Sequence, residues 1–155
     1  MVIQRLFGYF KNTLMLAVTI MGLISNIAYA LDNPNAPDYI AEFNARSQVH
    51  EQMVNDPKLT NRGILAAYNS YQLFLDEELD AAYQLLRSKL LKAQLDELKK
   101  SQEYWIKFRD AEFEFINNNW TRANFGGSFG LSRGGYRTNI IKNRVTQILY
   151  YAMNY

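Results

Sequence analysis

The sequence predicts an all-α fold, a small antiparallel bundle of three to four helices with a Gly-rich loop before the C-terminal helix. Three observations carry this. Two long segments repeat apolar residues at alternating steps of three and four, the period of one helical face. No stretch alternates with period two for long enough to make a strand. At 155 residues, 48% hydrophobic and 21% charged, the chain has the composition of one globular domain.

Residues 1–30 read as a secretory signal peptide. Arg5 and Lys11 form a basic start, Leu14 to Ile24 an apolar core, and Ala28-Tyr29-Ala30 a small-x-small cleavage site. The apolar run is shorter than the roughly 20 residues a membrane span needs, so residues 31–155 are expected as a periplasmic or secreted domain. Residues 33–37 hold two prolines and read as an irregular arm. Asp38 is placed to cap a first helix toward Val54, which Asn55-Asp56-Pro57 ends. In the second helix Leu65, Tyr68, Gln72, Leu75, Leu79, Ala82/Tyr83, Leu86 and Leu90 form one seam, with Asn61 as N-cap and a break between Ser88 and Ala93. The third repeats the seam through Leu95, Leu98, Gln102, Trp105, Arg109, Phe113 and Ile116, and stops at Asn117-Asn118-Asn119. A glycine-rich loop follows over 126–135. The last helix is expected from Thr138, its inner face made by Ile141, Val145, Ile148 and Ala152.

Composition excludes several chemistries. With no cysteine there is no disulfide, zinc-thiolate site or thiol nucleophile. A single histidine leaves little for triad or metal chemistry, so neither an enzyme nor a metal or other cofactor is expected. The precursor's net +2 is misleading. Removing Arg5 and Lys11 leaves 15 basic against 15 acidic residues, unevenly spread. Residues 31–114 carry 10 basic and 15 acidic residues, whereas five basic and no acidic residues follow Phe115. The folded domain is thus dipolar. A balanced exported chain is a poor candidate for nucleic acid, and the basic end is expected to dock on the acidic helices.

Three constellations stand out. Asp76, Glu77, Glu78 and Asp80 could suggest a metal site, but a helix points them in different directions and no glycine turn gathers them. A solvated acidic face is the favoured reading. Arg109 shares a face with Trp105 and Phe113, so it is expected to stack on Trp105 and pair with Asp76 or Glu78 of the facing helix. The glycine stretch fits neither the dinucleotide fingerprint nor the P-loop. It reads as a chain reversal, with Ser128, Ser132 and Arg133 placed to meet a partner, and with Ser132 and Arg133 removable without loss of stability.

The ordered series Asp76-Glu-Glu-Leu-Asp-Ala-Ala-Tyr83, then Leu98-x3-Gln102-x2-Trp105-x3-Arg109-Asp110-Ala111, then Gly126-Gly127-Ser128, then Arg144-x4-Leu149 resembles the N-terminal domain of the LprI-type lysozyme inhibitors over about residues 40–150. The resemblance implies a small helical bacterial envelope domain in which Tyr83, Trp105, Arg109, Asp110, Gly126, Gly127 and Arg144 are structural. Family cysteines are replaced here by Phe113 and Tyr136, expected to form an aromatic clamp between the third and last helices. The implied partner is lysozyme or another basic envelope or host protein. Asp76, Glu77, Glu78 and Asp80 would steer it, and the loop would enter its cleft. The alternative is a non-inhibitory protein-interaction module of the same fold. A monomer is expected. Cleavage after Ala30 predicts an exported chain beginning at Leu31. Intact-mass measurement of protein from periplasm or medium checks this, and the mass of all 155 residues would contradict it.

Overall fold

The structure is a computed structural model that describes residues 37–155, and the expected signal peptide, residues 1–30, lies outside them. The described residues are all-α. Helix α1 is Tyr39–Val54, α2 Asn61–Lys89, α3 Lys92–Asn119, α4 the single turn Arg122–Phe125, and α5 Phe129–Met153. A 3-10 turn, Gly126–Ser128, joins α4 to α5.

Side-chain caps set the first boundaries. The Asp38 carboxylate accepts from Ala41 N–H at 2.9 Å. At α2 the cap is Thr60, one residue before the expected Asn61. Its backbone is extended and its hydroxyl accepts from Gly63 N–H at 3.2 Å. The break between α2 and α3 falls at Leu90-Leu91, both extended, inside the expected interval. Gln94 then turns its side-chain oxygen back to accept from Leu91 N–H at 2.8 Å.

The core lies where α2 meets α5. Ile141, Val145, Ile148 and Ala152 are fully buried, as expected, against Leu75, Leu79, Ala82 and Leu86 of α2. Phe43 of α1 closes the core on a third side. Helix α2 makes its most extensive contact with α5. Helix α3 fully buries only Leu98 and Ile116, with Trp105 and Phe113 packed partly against the core. The first half of the α2 seam is corrected. Ala67 and Tyr71 are its buried residues, while Leu65 and Tyr68 sit one position round, facing the start of α5.

That arrangement explains the glycines, and it replaces the expected loop. From Phe129 onward the glycine-rich stretch is helix, and among the described residues positive φ occurs only at Gly126 (φ 62°). Gly130, Gly134 and Thr138 recur every four residues along the face that α2 approaches. A Cβ on Gly130 would lie 2.9 Å from Leu65 Cδ2, and one on Gly134 only 2.5 Å from Tyr68 Cγ. Each glycine costs about 1 kcal/mol of helix propensity relative to alanine. The close approach it permits offsets that cost. Thr138 is buried inside α5 and caps nothing. Its hydroxyl donates to the backbone of the preceding turn, Gly134 O at 2.9 Å.

Gly134→Ala therefore should destabilise the domain by about 1–3 kcal/mol through overpacking, reversing the sign usual for a helix. Gly127→Ala, with nothing near its Cβ, should stay within about 0.5 kcal/mol. Urea unfolding of both variants checks the contrast, and equal stabilities would show that α2 does not press on Gly134.

Candidate functional site

The acidic run on α2 fans out around the helix, and each member has a separate setting. Glu78 turns toward α1 and takes both Nε and Nη2 of Arg46, at 2.7 and 2.8 Å. That bond holds the Arg46 pKa above its ordinary value against the opposing effect of burial. Glu77 faces solvent. Asp76 and Asp80, one turn apart, face α3. With Leu79 and Tyr83 they line an open groove of about 500 Å³, completed by Lys99, Gln102, Glu103, Ile106 and Arg109. Burial raises the Asp76 pKa, opposed by the charge of Arg109 and a hydrogen bond from Gln72. None of Asp76, Asp80 and Glu103 belongs to the three ion pairs among the described residues.

The wall on α3 is held in place by two arginines over one ring. The Arg109 guanidinium lies 5.4 Å from the Trp105 ring centre and 6.0 Å from that of Phe113. The stack on Trp105 is as expected, but its ion pair is not. Arg109 bonds Asp110 at 2.8 Å, Glu78 is taken by Arg46, and Asp76 acts on Arg109 through charge alone. Arg144 of α5, only 5% exposed, lies 5.7 Å from the same indole. It donates to Gln102 Oε1 at 3.0 and 3.1 Å, to Ser101 Oγ at 3.2 Å and to Gln147 Oε1 at 2.6 Å. Its burial depresses its pKa, yet a guanidinium remains charged at any physiological pH. Gln102, Trp105 and Arg144 thus tie α3 to α5. Tyr83 lies at the groove beneath Arg87, whose guanidinium is 5.9 Å from its ring centre.

The residues expected to act together in a loop are separated. Gly126 and Gly127 form an exposed tip. Ser128 donates to Phe125 O at 3.3 Å. Ser132 faces a different groove, of about 680 Å³, between α1, α2 and α5. Arg133 faces the end of α3, donating to Trp120 O at 2.8 Å and Asn117 O at 2.5 Å, while Arg137 donates to the Asn117 side chain. Carbonyls at a helix C-terminus lack intrahelical donors and favour a cation. The expected aromatic clamp also divides. Phe113 meets Arg109 and Arg137, and Tyr136 meets Trp120 edge-on at 5.0 Å.

One polar cluster had no signal in the sequence. Glu51 Oε1 accepts from Lys142 Nζ at 2.6 Å, Tyr71 OH at 3.0 Å and Ser47 Oγ at 3.0 Å, joining residues 91 apart in the chain. The lysine bond draws the Glu51 pKa below its ordinary value, and burial pushes Tyr71 up to about 12. This is where the basic end of the chain docks on the acidic part. Among the described residues no three His, Cys, Asp or Glu side chains gather as a metal would require.

A family model, Lysozyme inhibitor LprI, matches residues 55–147, more than half of the chain. No curated protein and no solved structure matches it. The matched span runs from the end of α1 into α5, and so includes both walls of the acidic groove.

Because Arg133 caps α3, Arg133→Ala should cost about 1–3 kcal/mol, the range for leaving half-buried acceptors unpaired. Ser132→Ala should change stability by no more than about 0.5 kcal/mol. Thermal melts of the two variants check this, and an unaffected Arg133→Ala protein would contradict it.

Proposed function

The chain belongs to the LprI lysozyme inhibitor family, and on that premise we propose that it is an exported binder that occludes a basic lysozyme with its acidic groove. The observation that carries this reading is the groove itself. Asp76 and Asp80 from α2 and Glu103 from α3 line one open cleft with Lys99 and Arg109 beside them, and none of the three carboxylates is in an ion pair. Leu79, Tyr83 and Ile106 add apolar surface beside them. Lysozymes of the animal type are strongly basic, so opposite charge speeds encounter. A lysine or arginine stem can then lie along the apolar residues while its head meets the carboxylates.

The steering group is Asp76, Glu77 and Asp80, because Glu78 is bound to Arg46. The loop mechanism gives way to this one, since Arg133 serves α3. The protein acts by covering its partner and not by chemistry of its own. It reaches that partner in the periplasm or medium, delivered by the segment 1–30, as a domain of residues 31–155. Among the described residues no helix is long and apolar enough to cross a membrane.

Lysozyme turbidity on peptidoglycan, with this protein titrated in, tests the reading. Asp76→Asn/Asp80→Asn should weaken inhibition at least tenfold, about 1.4 kcal/mol. Inhibition should also fall as the Debye length shortens from about 30 Å at 0.01 M to about 8 Å at 0.15 M salt. Asp76→Asn alone should not lower the melting temperature at neutral pH. A carboxyl whose pKa is raised by folding opposes stability once ionised, so losing its charge removes a cost. Undiminished inhibition by the double variant would contradict the groove. Absence of inhibition against every lysozyme class would favour the non-inhibitory envelope module.

A further inference from the structure

Helix α3 has a second apolar stripe, on a face the bundle touches at its C-terminal end, where Phe115 meets the Trp120 ring edge-on at 5.7 Å. Tyr104, Phe108 and Phe115 are 59%, 52% and 54% exposed, and Ala111 is exposed between them. Their spacing of four, three and four is that of a coiled-coil seam. In heptad terms Phe108 and Phe115 occupy a, Tyr104 and Ala111 occupy d. Trp105 and Glu112, at e, are partly buried on the side of the bundle. Lys100, Lys107 and Glu114, at g, are exposed on the open side. Lys100 and Lys107 lie over the Tyr104 ring, at 5.9 and 5.5 Å from its centre. Lys107 and Glu114 belong to none of the three ion pairs among the described residues.

We infer that this stripe is an isologous interface, covered by α3 of a second copy running antiparallel. The monomer expected from sequence becomes one member of a reversible pair. The e side of the seam is occupied by the bundle, so approach is from the g side. Antiparallel pairing is the arrangement that sets g against g. In the register that places Phe108 over Ala111 of the second copy, Tyr104 lies over Phe115 of that copy. A large ring meets a small residue in one layer, and two rings meet in the next. Lys107 then falls beside Glu114 of the second copy, and by the two-fold axis Glu114 falls beside its Lys107. Both charged contacts are attractive in this register.

The size of the stripe sets the strength. Three half-exposed rings offer roughly 300 Å² of aromatic surface per copy, below the ~800 Å² per partner of a standard stable interface. The pair is therefore weak and forms with rising concentration. It leaves the groove open, because the α3 residues that line it, Gln102, Ile106 and Arg109 among them, lie on the opposite flank of α3 from the stripe.

Sedimentation equilibrium of the exported chain, from micromolar to millimolar, should show monomer and dimer and no larger species. Lys107→Glu and Glu114→Lys, each alone, should weaken dimerisation at least tenfold, since each sets like charges together. An equal mixture of the two variants should restore it, because every cross-copy contact is again opposite in charge. Phe108→Glu should abolish dimerisation and mixing should not rescue it. Far-UV circular dichroism should match wild type in all three, as the substituted side chains are exposed. A chain monomeric at all concentrations overturns the inference, as does a dimer indifferent to these charges or one not rescued by mixing. If the variants instead weaken lysozyme binding while the chain stays monomeric, the stripe belongs to lysozyme and the inference fails.

Discussion

Arg144 is a buried cation whose hydrogen-bond partners are all neutral, and the position of α3 depends on it. Desolvating a guanidinium is costly unless its donors find acceptors. Here Gln102 and Gln147 supply side-chain oxygens, Ser101 a hydroxyl and Trp105 a ring face. Three of these four groups come from α3, which fully buries only two residues of its own. Polar contact with α5 thus does for α3 what apolar burial does for α2. A helix held this way can stand off from α2 along one flank, and the opening is the groove that carries Asp76, Asp80 and Glu103. Of the residues that the family resemblance marked as structural, Tyr83 and Arg109 line this groove and Trp105 and Arg144 position its α3 wall, whereas Gly126 and Gly127 lie apart from it.

Close approach of α2 and α5 supplies the rigid base for that arrangement. Gly130 and Gly134 let the Leu65 and Tyr68 side chains come within van der Waals contact of the α5 backbone. The α5 axis then carries Arg144 to α3 on one side and Lys142 to Glu51 on the other. The dipolar charge distribution is used within one molecule. The basic end of the chain serves the carbonyls at the end of α3 and the carboxylate of α1. The carboxylates of the α2–α3 groove belong to none of the ion pairs among the described residues.

Much of this fold was legible because apolar period and caps are local properties. The seam Ile141, Val145, Ile148 and Ala152, the Asp38 cap and the break at Leu90-Leu91 all depend on neighbours within a few residues. The start of α5 was not legible, because glycine is read as a helix breaker until an opposing helix explains it. The spacing of Gly130, Gly134 and Thr138 was the available signal. For the site, the separation of Asp76 and Asp80 from Glu78 follows from helical geometry alone. That Glu78 would be taken by Arg46, and that Arg133 would reach Asn117, depends on tertiary contacts between segments far apart in sequence. The stripe Tyr104, Phe108 and Phe115 was visible as a spacing but fell outside the seam that explains the core.

The central claim is that the α2–α3 groove, and not the glycine-rich end, meets the partner. Amide chemical-shift mapping on the isotopically labelled chain, titrated with unlabelled basic lysozyme, tests it most directly. The account predicts that shifts concentrate at residues 76–83 and 99–109, with little change at 125–135. Shifts concentrated at 125–135, with the groove silent, would contradict it.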